Sequence, residues 1–447
     1  MRSVFLYFYG RFFYKFYVCK GVKMKTIVIG AGPAGMMAAI SAANSGDNVV
    51  LLEKNEKIGK KLFITGKGRC NVTNACSRDE FFENIVSNPK FLYSAFSQFN
   101  NADLMKLIED NGTPLKTERG NRVFPVSDHS SDIIKALNNA LKSVGVDLRL
   151  NTSVKSIITE SIENDAEEDL KKKGCSKCVV GVKTDNGEII KADKVVIATG
   201  GISYKTTGST GDGLRWAGDE GHRISTLKPA LVPLETYEKW PFELTGLSLK
   251  NVTLSLFIKD KLKYKEMGEM LFTHFGISGP LVLTSSSIIA GSDEKDIKVF
   301  IDLKPALSDD EFDARLIREL KEGNKKYLKN ILGNIYPIKL GLKICELSGV
   351  DIYKKCNEIT KEERKKILDY TKRLPLTIKG TRDFDEAIIT HGGVSVKDIN
   401  PKTMGSKLVK NLFFAGEVID VDAFTGGFNL QIAFSTGYLA GMRQTDN

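Results

Sequence analysis

From residue 25 onward, short β-branched apolar runs alternate with longer small-residue runs, and glycines separate them. Lys25–Ile29 is a compact apolar run and predicts a buried strand. Gly30-Ala31-Gly32-Pro33-Ala34-Gly35 follows, and then residues 36–45, whose alanine-rich pattern predicts a helix stopped by Gly46. Asn48–Leu52 predicts a second buried strand, ending at Glu53. Residues 179–183 and 188–191 flank Asp185-Asn186-Gly187 and predict a hairpin. Residues 194–198 predict another buried strand, entering Thr199-Gly200-Gly201. Near the C-terminus, residues 412–415 predict a short strand running into Gly416-Glu417. Beyond Gly426-Gly427-Phe428-Asn429, residues 430–442 predict a small-residue helix.

The N-terminal order is strand, GxGxxG, helix, strand, acid, with 18 residues from Gly35 to Glu53. Each part suits dinucleotide binding. Gly30 permits a tight turn, Gly32 lets the backbone approach a pyrophosphate, and Gly35 lets helix and strand pack closely. The helix N-terminus offers unpaired N–H groups and partial positive charge to the phosphates, and Glu53 offers acceptors to ribose hydroxyls. Strands of one nucleotide-binding sheet at both ends of the chain imply an interrupted domain. The expected fold is α/β: a discontinuous Rossmann-like dinucleotide-binding domain over 24–215 and 378–447, with two insertions. Residues 216–307 and 371–377 read as a β-rich substrate domain, a barrel or sandwich carrying runs such as 252–258 and 299–303. Residues 308–370 read as a charged helical insert. Gly208–Gly213 is glycine-rich but follows no strand, so it reads as a loop near the cofactor and not as a second dinucleotide site.

Composition narrows the class. At 447 residues, 42% hydrophobic and 27% charged, the chain has the make-up of a soluble multidomain protein, not a disordered or disulfide-stapled one. The net charge of +10 raises the question of a polyanionic partner. Half of that excess sits in residues 1–23, which carry Arg2, Arg11, Lys15, Lys20 and Lys23 and no acid. This aromatic leader is interrupted by Arg11 and Lys15, well short of the roughly 20 apolar residues of a membrane span. It reads either as an interfacial segment or, preferentially, as sequence upstream of a true start at Met24, outside the fold. The lysine runs of the helical insert are interspersed with acids, which favours a solvated helix face over a nucleic-acid patch. Seven scattered cysteines, an odd number, point to reduced thiols and a cytoplasmic location. Cys175-Ser176-Lys177-Cys178 lacks a second pair, and the four histidines are widely separated, so no metal site is expected.

This organisation resembles the two-dinucleotide-fold flavoproteins of the glutathione-reductase-like class. The resemblance implies that Gly30, Gly32, Pro33, Ala34 and Gly35 hold the FAD pyrophosphate and that the strand ending in Thr199 and Gly200 passes near it. Gly416 would contact the ribityl chain beside Glu417, which stands where that class has Asp. Gly427, Phe428 and Asn429 would bring a helix N-terminus to the flavin pyrimidine edge. Residues 58–62 (IGKKL), 65–74 (TGKGRCNVTN), 120–127 (GNRVFPVS), 271–280 (LFTHFGISGP), 390–395 (THGGVS) and 415–431 (AGEVIDVDAFTGGFNLQ) narrow it further. With these motifs the chain is similar to the BaiN/RdsA-like NAD(P)/FAD-dependent oxidoreductases from Met24 to its C-terminus. The family implies reduction of conjugated C=C bonds in 3-oxo-steroid-like bile-acid intermediates. Beside Glu53, it adds Lys54, Lys61, Gly66, Arg69, Cys70, Asn71 and Val154 to the expected cofactor contacts.

The expected chemistry is ping-pong. NAD(P)H, docking without a Rossmann domain of its own, reduces FAD. The flavin N5 then delivers hydride to an activated alkene, while a donor steadies the developing enolate. Arg122, as an anchor for an anionic substrate, and His274, as a donor to a carbonyl, are the candidate catalytic residues. Lys67 and His391 are further polar groups available. The expected partner is a small molecule, with no nucleic acid and no membrane span. Two alternatives stand behind this reading: a peroxide-producing amine oxidase on the same scaffold and, below it, an RNA-modifying flavoprotein.

Overall fold

The computed structural model describes residues 23–162 and 175–443; the leader, apart from Lys23, lies outside them. The central sheet is parallel and has five strands: β1 (Lys25–Ile29), β2 (Asn48–Leu52), β3 (Asp147–Arg149), β4 (Lys194–Ile197) and β5 (Leu412–Phe414). Their spatial order is β5-β4-β1-β2-β3, so strands from both ends of the chain lie in one sheet. Thr26 pairs with Lys194 and Val49, and Val195 pairs with Leu412. Helix α1 (Pro33–Asn44) begins three residues before the alanine-rich pattern does. Proline suits the first helical turn, where its missing N–H is not needed, and Gly32 supplies the extended cap.

The C-terminal helix α2 (Phe428–Gly441) lies against α1 with almost no side-chain spacer. A Cβ added at Gly437 would overlap the Ala34 carbonyl oxygen, and one at Gly441 would overlap that of Ala38. The glycines are four residues apart and so are the alanines, which puts each pair on one helix face. The far end of α2 is capped by a buried lysine. Lys194 Nζ donates to the Gly441 and Met442 carbonyls at 3.0 Å each and lies over the Phe413 ring. Burial pulls its pKa down to about 8.

The inserted β-rich region is a closed six-stranded barrel. Its strands are Leu234–Thr236, Ser248–Ile258, Lys261–Thr273, Gly276–Ser278, Ile297–Asp302 and Leu374–Thr381. The last strand runs through the domain boundary expected at 377/378. The helical insert comprises Asp309–Glu322, Ile338–Ser348 and Lys361–Lys372, and two of these helices start at Ser308/Glu311 and Thr360/Glu363 capping boxes. Phe312, Leu316, Ile344 and Ile367 join the barrel residues in one core, while the parallel sheet and its helices form another. The predicted hairpin forms between Lys177–Thr184 and Ile189–Lys191. Among the described residues, no helix is long and apolar enough to cross a membrane, and no cluster of His, Cys, Asp and Glu could hold a metal ion.

Gly437→Ala tests the α1–α2 contact. Overpacking against a carbonyl should lower the free energy of unfolding by about 1–3 kcal/mol, read by denaturant titration. An unchanged midpoint would contradict the backbone contact.

Candidate active site

A cavity of about 1050 Å³ opens along the C-terminal ends of β1 and β4 and reaches the barrel. That is at the upper end of the roughly 300–1,000 Å³ of ligand pockets, the size a large cofactor calls for. Its position outside the strand ends is where open α/β sheets bind ligands.

The turn after β1 forms one end. Gly30 has φ +99°, and a Cβ there would stand 2.7 Å from the Ala198 carbonyl oxygen of the neighbouring strand. A Cβ at Gly35 would overlap the Gly30 carbonyl oxygen, whereas one at Gly32 would meet nothing within 4 Å. Gly32 therefore leaves the N-terminus of α1 open to the cavity. Glu53 is buried and does more than face a ribose. Its carboxylate accepts from Ala31 N at 2.8 Å, so it braces the glycine turn, and from Asn55 N and Nδ2 at 2.9 and 2.7 Å. A carboxylate accepts about four hydrogen bonds, so one position remains for a ligand. Lys54 Nζ donates to Thr210 Oγ1 and pairs with Asp212 at 3.1 Å, which ties the 208–213 loop to the cavity wall.

Deeper in, Glu417 is the centre of a network. It accepts from Lys61 Nζ at 2.7 Å, Ser203 Oγ at 2.9 Å and Thr390 N at 2.8 Å. The longer side chain at this position is thus largely committed within the protein. Opposite, α2 starts at the cavity, with Gly427 at φ +97° as its cap. Asn429 braces the preceding loop, accepting from Ala423 N at 2.9 Å and donating to Ala423 O at 2.7 Å. Leu231, Glu269, Pro280 and Leu283 bring the barrel side of the chain to the same cavity.

The structure brings most of the sequence-predicted residues together. Gly30, Gly32, Pro33, Ala34, Glu53, Lys54, Lys61, Gly66, Arg69, Asn71, Arg122, Val154, Thr199, Gly200, Glu417, Gly427, Phe428 and Asn429 all line the cavity, as does Lys67. Gly35 and Gly416 lie behind the lining and act through packing; a Cβ at Gly416 would stand 2.7 Å from Ala34 Cβ. Cys70 is also outside the lining and wholly buried, and burial pushes its thiol up to about 12. Arg69 Nη2 bonds Glu118 and Asp128, and the guanidinium lies 4.2 Å from the Phe124 centroid, so its charge is already balanced. His274 sits exposed in the turn between two barrel strands, edge-on to Phe275 and away from the cavity lining. The hairpin turn directs it outward, so the structure does not bring it together with the other expected site residues. His391 lies behind the wall, on Asp422. Asp422, Thr390, Ser203 and Glu269 were missed by sequence reasoning. Of these, Thr390 and Asp422 lie inside motifs quoted for the family resemblance, but nothing local distinguished them from neighbouring polar residues.

A family profile described as the HI0933-like protein Rossmann domain matches residues 24–443. The chain belongs to this family of flavin-dependent oxidoreductases. It is 31% identical over 418 residues to a 3-dehydro-bile acid delta(4,6)-reductase of Clostridium scindens, covering 93% of this chain and 97% of that protein. It is 30% identical over 415 residues to a ribosomal RNA dihydrouridine synthase of Haemophilus influenzae, covering 93% and 96%. A solved 3-ketosteroid delta1-dehydrogenase of Sterolibacterium denitrificans matches with TM-score 0.50 at 14% identity, covering 94% of this chain and 98% of the other. That is a likeness of fold.

The cavity fits the FAD that this family implies. At Gly32 the N-terminus of α1 opens on the cavity, and Glu53 beside it is a buried carboxylate with three of its acceptor positions filled, a donor and an acceptor set suited to a dinucleotide. Glu53→Ala should weaken FAD binding by about 10–100-fold, the equivalent of losing a charged hydrogen bond of about 1.5–3 kcal/mol. Fluorescence titration of FAD into the apoprotein measures this, and an unchanged affinity would remove Glu53 from the cofactor site.

Proposed function

We propose that this chain is an FAD enzyme that uses NAD(P)H to reduce a C=C bond conjugated to a carbonyl, in a 3-oxo-steroid-like or other enone substrate. The observation that carries the reading is the shared cavity: a dinucleotide cradle at one end and, at the other, a wall of Leu231, Pro280 and Leu283 suited to an apolar substrate body. The names of the full-length relatives support the reaction class. A bile-acid delta(4,6)-reductase removes alkene unsaturation, and a dihydrouridine is a uridine whose ring C=C, conjugated to a carbonyl, has been saturated.

Bound FAD would supply the two-electron chemistry, accepting electrons from a nicotinamide and passing them to the alkene. The chain's own residues divide the remaining work. The α1 N-terminus and the Gly32 backbone would hold the pyrophosphate. The α2 N-terminus at Phe428 would offer its partial positive charge to the bound flavin. Glu417, through Lys61, Ser203 and Thr390, keeps the cavity floor in register. Arg122, exposed with its Nε on the Arg119 carbonyl at 3.1 Å, would meet an anionic group on the substrate. No dedicated nicotinamide domain is present among the described residues, so the reductant would dock transiently over the flavin.

A second reading, reduction of a uracil ring within RNA, has specific support. Two ribosomal RNA dihydrouridine synthases match over nearly their whole length, and exposed Lys67 and Arg122 stand at the cavity rim. The test is to purify the protein with its yellow flavin, bleach it anaerobically with NADH or NADPH, and offer enones or uridine-containing RNA. Reoxidation by enones is expected. Recovery of colour with RNA alone would favour the second reading, and bleaching by neither nicotinamide would overturn the proposed donor.

A further inference from the structure

Lys325, Lys326 and Lys329 belong to a run that the sequence reads as a solvated helix face, and the fold arranges them otherwise. Residues 324–329 and 352–357 lie antiparallel in the loops between the helices of the insert. Four backbone hydrogen bonds join them: Leu328 N to Lys354 O at 2.9 Å, Lys329 N to Ile352 O at 3.1 Å, Cys356 N to Lys326 O at 3.0 Å and Asn357 N to Asn324 O at 3.2 Å. Leu328 and Cys356 turn into the core, while Tyr327 and Tyr353 stand outside, 46% and 60% exposed. Tyr327 lies opposite Lys355. Lys329 reaches both rings, with Nζ 4.2 Å from the Tyr353 centroid and 5.9 Å from that of Tyr327.

The two segments carry five lysines and no acid. Among the described residues, Lys354 alone of the five is in an ion pair, with Glu363 at 2.9 Å. Glu322, Asp351 and Glu358 flank the segments. Asp351 accepts from Tyr353 N at 2.9 Å and Glu358 from Lys355 N at 3.3 Å, so both are turned to the backbone. Exposed rings on a cross-linked loop pair, with ammonium groups beside and between them, combine what holds a single-stranded nucleic acid: π faces for its bases and cations for its phosphates. A lipid surface calls for outward aliphatic side chains as well, whereas Leu328 is buried and Ile352 half-buried.

We propose that this surface docks single-stranded RNA, with bases stacking on Tyr327 and Tyr353 and phosphates meeting Lys325, Lys329 and Lys355. No residue of the helical insert lines the main cavity, so the surface is a contact separate from the reacting end. The docking stands on this surface alone and goes beyond the enone reading. Its link to catalysis rests on the second reading: an RNA whose uridine enters the cavity would also be gripped along its strand by the insert.

The experiment titrates the FAD-loaded full chain into a labelled, uridine-rich RNA of about twelve nucleotides and follows fluorescence anisotropy. Affinity should fall with salt along a log–log slope of about −2, the value for about three phosphates met on a single strand. Tyr327→Ala and Tyr353→Ala should each weaken binding about 5-fold or more, and Tyr353→Phe should bind as the wild type does. Lys329→Gln should weaken binding and flatten the salt slope. Flavin content should be unchanged in every variant. No RNA binding at low salt, or binding that both alanine variants leave unaltered, would overturn the proposal. So would tighter binding to phosphatidylserine vesicles than to RNA, lost in the same variants. RNA bound here that never restores the colour of bleached flavin would uphold the docking surface and remove the RNA reading of the cavity.

Discussion

The site depends on how closely the backbone of α1 approaches what surrounds it. The helix start is packed against the turn after β1, where Gly35 meets the Gly30 carbonyl, and its length is packed against α2, where Gly437 and Gly441 meet Ala34 and Ala38. These contacts leave no room for a methyl group, so they set the helix position to within a fraction of an ångström. The N-terminal ends of α1 and α2, which both open on the cavity, are therefore fixed relative to each other. Lys194, buried between the sheet and the end of α2, locks the same unit from the far side.

Onto this unit the chain builds a cavity with carboxylates in three different roles. Glu53 braces the glycine turn through the Ala31 N–H. Glu417 ties together Lys61, Ser203 and Thr390, residues distant in sequence that the fold makes neighbours. Asp422 has one oxygen on His391 and the other unpaired. The first two are largely satisfied inside the protein and so hold shape. The third is held from its backbone by Val86 N and Ser87 N and by His391 at its side chain.

Sequence reasoning read the FAD-domain framework closely because its signals are local. The strands Lys25–Ile29 and Asn48–Leu52 appear with the expected bounds, since an apolar run bounded by glycine turns encodes its own periodicity. The barrel was visible as a class, while its closure through Leu374–Thr381 was not, because that strand pairs with Ile297–Asp302 across the whole helical insert. His274 shows the limit. It lies within a long motif carrying the family resemblance, yet a tight hairpin turns it to solvent. Arg69 shows another: the family resemblance puts it among the cofactor contacts, and only the fold shows Glu118 and Asp128 beside its guanidinium.

By itself, the sequence determined the nucleotide-binding order of strand, glycine turn, helix and acid, the interrupted domain plan and the family. These follow from residue spacing within single elements, where backbone geometry leaves few alternatives. Only the tertiary structure decided which polar groups share the cavity. Asp422 and His391 are 31 residues apart, and Lys61 and Glu417 are 356 apart. Their meeting follows from how the sheet, α2 and the barrel pack, a long-range outcome for which no local pattern carries a signal.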